Sequence, residues 1–280
     1  MTAVPLDPAR TQPILDVRPA ASFERSHRAG AVNIPLEELA HRIHELPPRS
    51  VAVTIFDEDP TRARWAASRL RARERVVAAV HHGLSWLADG PTESGPSRSR
   101  LWQPHDLLIE LVELIRRDGL LQLAGDPRPR ALDIACGAGR DAVFLAMSGF
   151  HVEAWDILPD ALALADDLAR RSGVSIHMSQ RDVEREPAIA ENAYDLVCCF
   201  NFLHRPLLPH ITAAVRPGGL VVYETFVEPQ RETFGKPSRA SHVLATGELA
   251  RAFANLEILV SREGLAGPRR YAASLIARKR

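Results

Sequence analysis

Lysine is almost missing from this chain: of 35 basic residues only two, Lys236 and Lys279, are lysines. Genome composition accounts for that arginine bias as readily as function does. Net charge is missing too, because 35 acidic residues balance the basic ones. A polyanion binder needs a basic field, so nucleic acid is not an expected partner. Cysteine is scarce. Cys136, Cys198 and Cys199 lie in apolar runs, without metal-ligand spacing or a disulfide framework, so no metal is expected and a reducing cytosol is. No apolar run reaches membrane-spanning length, and the stretch Met1–Pro13 has no apolar signal core. A cytoplasmic protein without a membrane partner is therefore expected.

What is present suits two domains. At 280 residues the chain exceeds one small domain. The stretch Asp89–Arg98 is rich in Gly, Pro and Ser and has no apolar period, so it reads as a linker. The expected division is a first domain over 1–90, a linker over 91–100 and a second domain over 101–280. Oligomeric state is left open.

The most informative run is Leu132–Asp141, in which Leu132 to Cys136 is apolar apart from Asp133, and Gly137 and Gly139 follow. It reads as a buried strand, a glycine turn and a helix, a geometry that lets backbone N–H groups approach a small ligand. Asp133 decides which ligand. A carboxylate there repels a dinucleotide pyrophosphate but attracts the ammonium and sulfonium of S-adenosylmethionine (SAM). The run points to a methyl donor rather than to NAD. Gly137–Ala142 also satisfies a loose dinucleotide pattern, but that pattern alone is weak.

In the first segment, Ile14–Val17, Val51–Phe56 and Val76–Val80 read as strands and Thr61–Arg75 as a helix. The pieces Ile14–Arg18, His27–Pro35, Glu45–Pro48 and His82–Trp86 resemble a rhodanese domain over most of residues 10–90. The resemblance implies a sulfur-carrying cysteine after the central strand. Aligning Arg62 with the closing arginine of that loop puts Asp57 at the nucleophile position, and Phe56–Thr61 holds three carboxylates and no thiol. A carboxylate holds no transferable sulfur, so sulfurtransfer is expected to be absent and a scaffold, regulatory or docking role to remain.

In the second segment, Leu107–Arg117 has helical periodicity. Strands are expected at Ala131–Cys136, His151–Ile157, Ser175–Val183, Tyr194–Phe200 and Leu220–Thr225, alternating with helices. Thr246 is placed to cap one more helix, and Leu256–Glu263 and Arg270–Ala277 read as a terminal hairpin joined across Gly264–Arg269. Such alternation implies a parallel sheet with ligands at its C-terminal edge. On these motifs residues 101–280 resemble class I SAM-dependent methyltransferases, with Ala135 standing where the pattern often has its first glycine. The runs Asp133–Asp141, Tyr223–Phe226 and Phe234–Pro237 are most similar to the tellurite-resistance and thiopurine methyltransferase branch. The expected fold class is α/β: a small rhodanese-like domain, then a seven-stranded, mostly parallel, Rossmann-like methyltransferase domain ending in a β-hairpin.

The resemblance implies roles for particular residues. Asp133 meets the SAM ammonium, Ala135, Gly137 and Gly139 let the backbone approach, and Arg140 pairs with the SAM carboxylate. Asp156 accepts from the ribose hydroxyls with Ile157 beside it; the alternative is a helix cap. Asp182 accepts from the adenine amino group with Val183 against the ring; the alternative is a turn acid. Phe200 packs at the sulfonium or belongs to the core. His204 is the evident general base on that edge, or else a structural histidine. The segment between Phe226 and Leu244 reads as a long polar loop carrying Arg231, Lys236, Arg239 and His242, suited to an anionic acceptor or simply to solvent. No Asn/Asp-Pro-Pro-Tyr run follows Phe200, which weighs against DNA or glutamine substrates. A small-molecule acceptor is expected, and scarce acid–base residues fit a thiol or reduced chalcogen. The rivals are O- or N-methylation with His204 as base, a non-catalytic SAM binder, an NAD-dependent oxidoreductase and a sulfurtransferase.

Overall fold

The structure is a computed structural model describing residues 12–123, 125, 127–267 and 269–280. The stretch 1–11 and Pro268 of the hairpin turn, both read above, lie outside the described residues. The chain divides into two units, through Gln103 and from Pro104 onward.

The first unit contains β1 (Ile14–Asp16), α1 (Ala20–Arg25), β2 (His27–Arg28), β3 (Val32–Asn33), β4 (Val53–Asp57), α2 (Pro60–Arg71), β5 (Val77–His82), α3 (Leu84–Ala88) and β6 (Thr92–Glu93). Its main sheet has the order β3-β1-β4-β5, all parallel. α2 starts where Asp59 accepts from the Thr61 amide at 2.7 Å and Pro60 opens the helix, both favourable at an N-terminus. It buries Ala63, Ala66, Ala67 and Leu70; residues this small let the helix lie close to β4 and β5.

The expected linker is not one. β6 pairs antiparallel with β2, the Ala29 amide donates to Pro91 O at 2.9 Å and the Gly95 amide to Glu24 O at 2.7 Å. Ser97 Oγ donates to Ala31 O at 3.0 Å. Gly and Pro there serve turns that fold the segment back onto its own unit, which local composition does not distinguish from a free tether.

The second unit contains α4 (Asp106–Asp118), β7 (Arg130–Ile134), α5 (Arg140–Met147), β8 (His151–Asp156), α6 (Pro159–Arg171), β9 (His177–Gln180), β10 (Tyr194–Phe200), α7 (Leu207–Ala214), β11 (Val215–Phe226), α8 (Glu228–Phe234), α9 (Glu248–Ala252), β12 (Glu257–Gly267) and β13 (Arg270–Arg278). The seven strands run β12-β13-β11-β10-β7-β8-β9. The five from β9 to β11 are parallel, and β13 runs antiparallel to both β11 and β12. The expected mostly parallel sheet with a terminal hairpin is thus present. α4 buries Leu107, Leu108, Leu111, Val112 and Ile115, each worth about 1.5–3 kcal/mol when removed from water, and packs against β11.

Three local expectations change. The third strand is only His177–Gln180, so Asp182 lies beyond it in a turn. Gly247, not Thr246, caps α9, with a left-handed φ of 67° and no side-chain bond. The stretch between Phe226 and Leu244 holds α8 and a single 3-10 turn. Arg205 pins that turn by donating to Ser241 O and Val243 O, each at 2.9 Å.

Candidate active site at the C-terminal edge of the second sheet

The site begins where β7 runs out. Asp133 is 2% exposed. Its Oδ1 takes a long bond from the Cys198 thiol at 3.5 Å, and its Oδ2 is buried without a hydrogen-bond partner among the described residues. Burial, and next the charge of Asp141, hold the Asp133 carboxyl well above the usual carboxylate range. An orphaned buried oxygen costs about 1–3 kcal/mol, and a cationic group seated there would relieve it.

The chain then turns. Ala135 has φ 56° and Gly137 φ 54°, both left-handed. Ala135 carries the strain that a glycine would avoid. A Cβ on Gly137 would meet nothing within 4 Å, so this glycine opens the loop to whatever binds above it. Gly139 serves a different purpose: its Cβ would lie 2.5 Å from Ala165 Cβ. It is there so that α5 and α6 can approach, not to admit a ligand. Arg140 is exposed at the first position of α5.

Asp156 spans the end of β8 and the loop. Its Oδ2 accepts from the Gly137 amide at 2.8 Å and its Oδ1 from the Leu158 amide at 2.9 Å. Asp156 does not cap α6, whose N-cap residue is Leu158 without a side-chain bond; its carboxylate instead ties the end of β8 to the glycine loop at the ligand edge. Beside it Ile157 and Leu158 are 51% and 60% exposed, an apolar shelf in solvent. Asp182 accepts from the Glu184 and Arg185 amides at 3.1 and 3.3 Å, which realises the turn-acid reading. Val183 is buried in the core.

The remaining cluster was not foreseen. His105 precedes α4, and its backbone N–H donates to Asp141 Oδ1 at 2.6 Å. Its ring stacks on Phe200, centroids 4.3 Å apart and planes 13° apart. Its Nε2 lies 3.2 Å from Glu224 Oε1. Glu224 is buried opposite Phe200 in the β10–β11 register. It also accepts from Ser274 Oγ at 2.5 Å and pairs with Arg270 at 2.6 Å. Burial pulls the Glu224 carboxyl up, but the bonds from His105 and Ser274 and the charge of Arg270 outweigh it, and the group sits below its ordinary range. Arg270 also donates to Asn201 Oδ1 at 2.9 Å, and Asn201 holds a left-handed φ of 58°. One signal was available in the sequence: Glu224 is a lone carboxylate inside the apolar run Leu220–Phe226, and a buried charge demands partners.

The structure brings Asp133, Asp141, Phe200, His105, Glu224 and Arg270 together through this chain of contacts. It does not tie His204 into that set. Among the described residues its half-buried ring makes no hydrogen bond or ring contact; only its backbone carbonyl is used, by the Leu207 amide at 3.0 Å. No group of three or more metal-ligating side chains occurs among the described residues.

Known proteins resemble this chain in two separate parts. A family model described as a methyltransferase domain matches residues 131–219, and one described as a rhodanese-like domain matches residues 5–90. An uncharacterized protein of Schizosaccharomyces pombe is 25% identical over 84% of this chain and 83% of its own. Ubiquinone biosynthesis O-methyltransferase of Burkholderia thailandensis is 34% identical over 44% of this chain and 56% of that enzyme. The chain thus spans little more than half of that enzyme. The crystal structure of TehB from Haemophilus influenzae superposes with a TM-score of 0.51 at 20% identity, covering 63% of this chain and 62% of that one; at that identity the likeness is one of fold. The second unit contains the segment matched by the methyltransferase model, on a Rossmann-like α/β sheet. The chain thus carries a methyltransferase domain, with a rhodanese-like domain on its N-terminal side.

Proposed function

We propose that the second unit binds SAM across the ends of β7, β8 and β10 and methylates a thiol or reduced chalcogen (sulfur, selenium or tellurium) of a small molecule. The observation that carries the binding part is the buried, orphaned Oδ2 of Asp133 beneath an open glycine loop. SAM supplies an electrophilic methyl on a sulfonium. Asp133 receives the ammonium end, Asp156 the ribose, and the Ile157–Leu158 shelf the adenine. Arg140 is free at the surface to reach the carboxylate. Phe200 and Phe202 wall the methyl side. Positioning and exclusion of water supply most of the acceleration for such a displacement.

A second reading, methylation of a hydroxyl, is favoured by His105 held against Glu224 and by the ubiquinone O-methyltransferase relatives. The argument from scarce acid–base residues weakens once these two are seen at the site.

In the rhodanese-like unit, Asp57 stands at the end of β4 with its carboxylate accepting from the Asp59 amide and from Arg62 Nε, each at 3.0 Å. The place of a sulfur anion is thereby taken by a bound carboxylate, which supports a docking or regulatory role without sulfurtransfer. The test is methyl-labelled SAM offered with thiols, selenite, tellurite and phenols, tracking label in headspace and solution. Thioether or volatile products support the first reading and ethers the second. Failure to bind SAM would sink both.

A further inference from the structure

We propose that His105 is the proton acceptor of the methyl transfer, with Glu224 as the residue that positions its ring. The inference rests on the methyltransferase reading above and deepens it by naming the acceptor group: one that carries a proton, as a hydroxyl or a thiol does.

Orphaned polar atoms carry the argument. Among the described residues of the second unit, the buried side-chain atoms that have neither a hydrogen bond nor an ion-pair partner are His105 Nδ1, Asp133 Oδ2, Thr225 Oγ1 and Arg270 Nε; His105 Nε2 faces Glu224 Oε1. These residues are the one before α4, one near the end of β7, one near the end of β11 and the first of β13. Folding proteins rarely leave such groups unpaired, so their gathering at one sheet edge marks a place where partners arrive with a ligand.

His105 is the group among them that offers a basic nitrogen. Its surroundings fix what it does. Phe200 holds one face of the ring. Glu224 Oε1 lies 3.2 Å from Nε2, and Glu224 is itself held by Ser274 and Arg270. A carboxylate facing Nε2 selects the tautomer with its proton there, which leaves a lone pair on Nδ1. The side chain keeps 13% exposure, none of it at the ring nitrogens, so an acceptor reaches Nδ1 only where a bound ligand displaces what covers it. The backbone of the same residue is bonded to Asp141, whose charge acts directly on Asp133. The residue is thus tied to the donor end of the site through its backbone and to the β10–β11 end through its ring. His204 has neither tie.

The step balances without another reactant. The acceptor oxygen or sulfur forms a bond to the methyl carbon as the bond from that carbon to the sulfonium sulfur breaks. The bonding pair stays on that sulfur, which becomes a neutral thioether. The acceptor proton passes to Nδ1, and the resulting imidazolium is stabilised by Glu224. General-base assistance of this kind contributes roughly 10²–10⁴-fold, and only for an acceptor that still holds its proton.

The full-length protein with ¹⁵N-labelled histidine tests the geometry directly, the His105 signals being assigned with His105→Gln. The expected tautomer carries its proton on Nε2, with Nδ1 unprotonated. A proton fixed on Nδ1 in the neutral ring overturns the proposal. The chemical arm compares thiophenol, largely ionised near neutral pH, with phenol, which is not, using methyl-labelled SAM. His105→Gln should lower turnover of phenol at least 100-fold while changing that of thiophenol less than 5-fold and SAM affinity less than 3-fold. Glu224→Gln should show the same selectivity with a smaller loss. A purely structural role would lower both acceptors alike, and equal losses would refute the assignment. If the wild-type protein bound no SAM, the methyltransferase reading would fail, while the tautomer would still decide whether the ring is set as described.

Discussion

Replacing Asp133 by Asn separates binding from folding. The change keeps the shape of the side chain and removes its charge. In the free protein the carboxyl is buried and pushed up by burial and by Asp141, against which the Cys198 thiol and the Ala142 amide pull it down only in part. Its charge therefore adds nothing to the fold, and Asp133→Asn should leave stability within about 1 kcal/mol of wild type or raise it, because an uncompensated buried charge is a burden. Binding should move the other way. A hydrogen bond between a carboxylate and an ammonium is worth about 1.5–3 kcal/mol, so SAM affinity should fall roughly 10- to 150-fold. Calorimetric titration of SAM alongside thermal unfolding gives both numbers from one preparation. Opposite signs support the assignment. A large loss of stability with SAM affinity kept within 3-fold would show that Asp133 is structural, and the reasoning from its orphaned oxygen would be wrong.

Other predictions follow from the same contacts. Because its folded value is raised, Asp133 keeps its proton to higher pH in the folded protein than when unfolded; its contribution to stability is present at low pH and declines as pH rises through the folded value. SAM, being cationic, replaces that proton, so binding should release protons and tighten with rising pH, as read by calorimetry in buffers of different ionisation enthalpy; Asp133→Asn should abolish that release. Asp156→Ala should weaken SAM binding roughly 10- to 150-fold with an unchanged far-ultraviolet circular dichroism spectrum, and unchanged affinity would remove the ribose assignment. Gly139→Ala forces a Cβ to 2.5 Å from Ala165 Cβ at a φ of 74°. It should cost about 2–4 kcal/mol, a fall of roughly 5–15 °C in the melting temperature; a fall under 2 °C would mean that α5 and α6 are not packed as described. The full-length protein should form no thiocyanate from thiosulfate and cyanide, and turnover above a heat-killed control would contradict the reading of Asp57.

The strand, turn and helix around Gly137 were legible because their signals are local. An apolar run, an acid and two glycines fit within ten positions, and the terminal hairpin declared itself by two extended runs with glycines between them. The cluster of His105, Glu224 and Arg270 was not legible. Its members lie more than a hundred positions apart at one end, and only the β10–β11 and β11–β13 registers set Glu224 opposite Phe200 and Ser274. Gly137 and Gly139 look alike in sequence, yet one faces open space and the other a neighbouring helix. The difference is a property of packing. The segment after Asp89 misled for the opposite reason: turn residues were read as freedom, whereas here they bend the chain into backbone bonds with its own unit.

The most direct test of the central claim is a crystal structure of the full-length protein grown with SAM. The SAM amino group is expected within hydrogen-bond distance of Asp133, both ribose hydroxyls on Asp156, adenine against Ile157, and the methyl directed toward the stacked Phe200–His105 pair. SAM bound elsewhere, or bound here with Asp133 and Asp156 uninvolved, would contradict it.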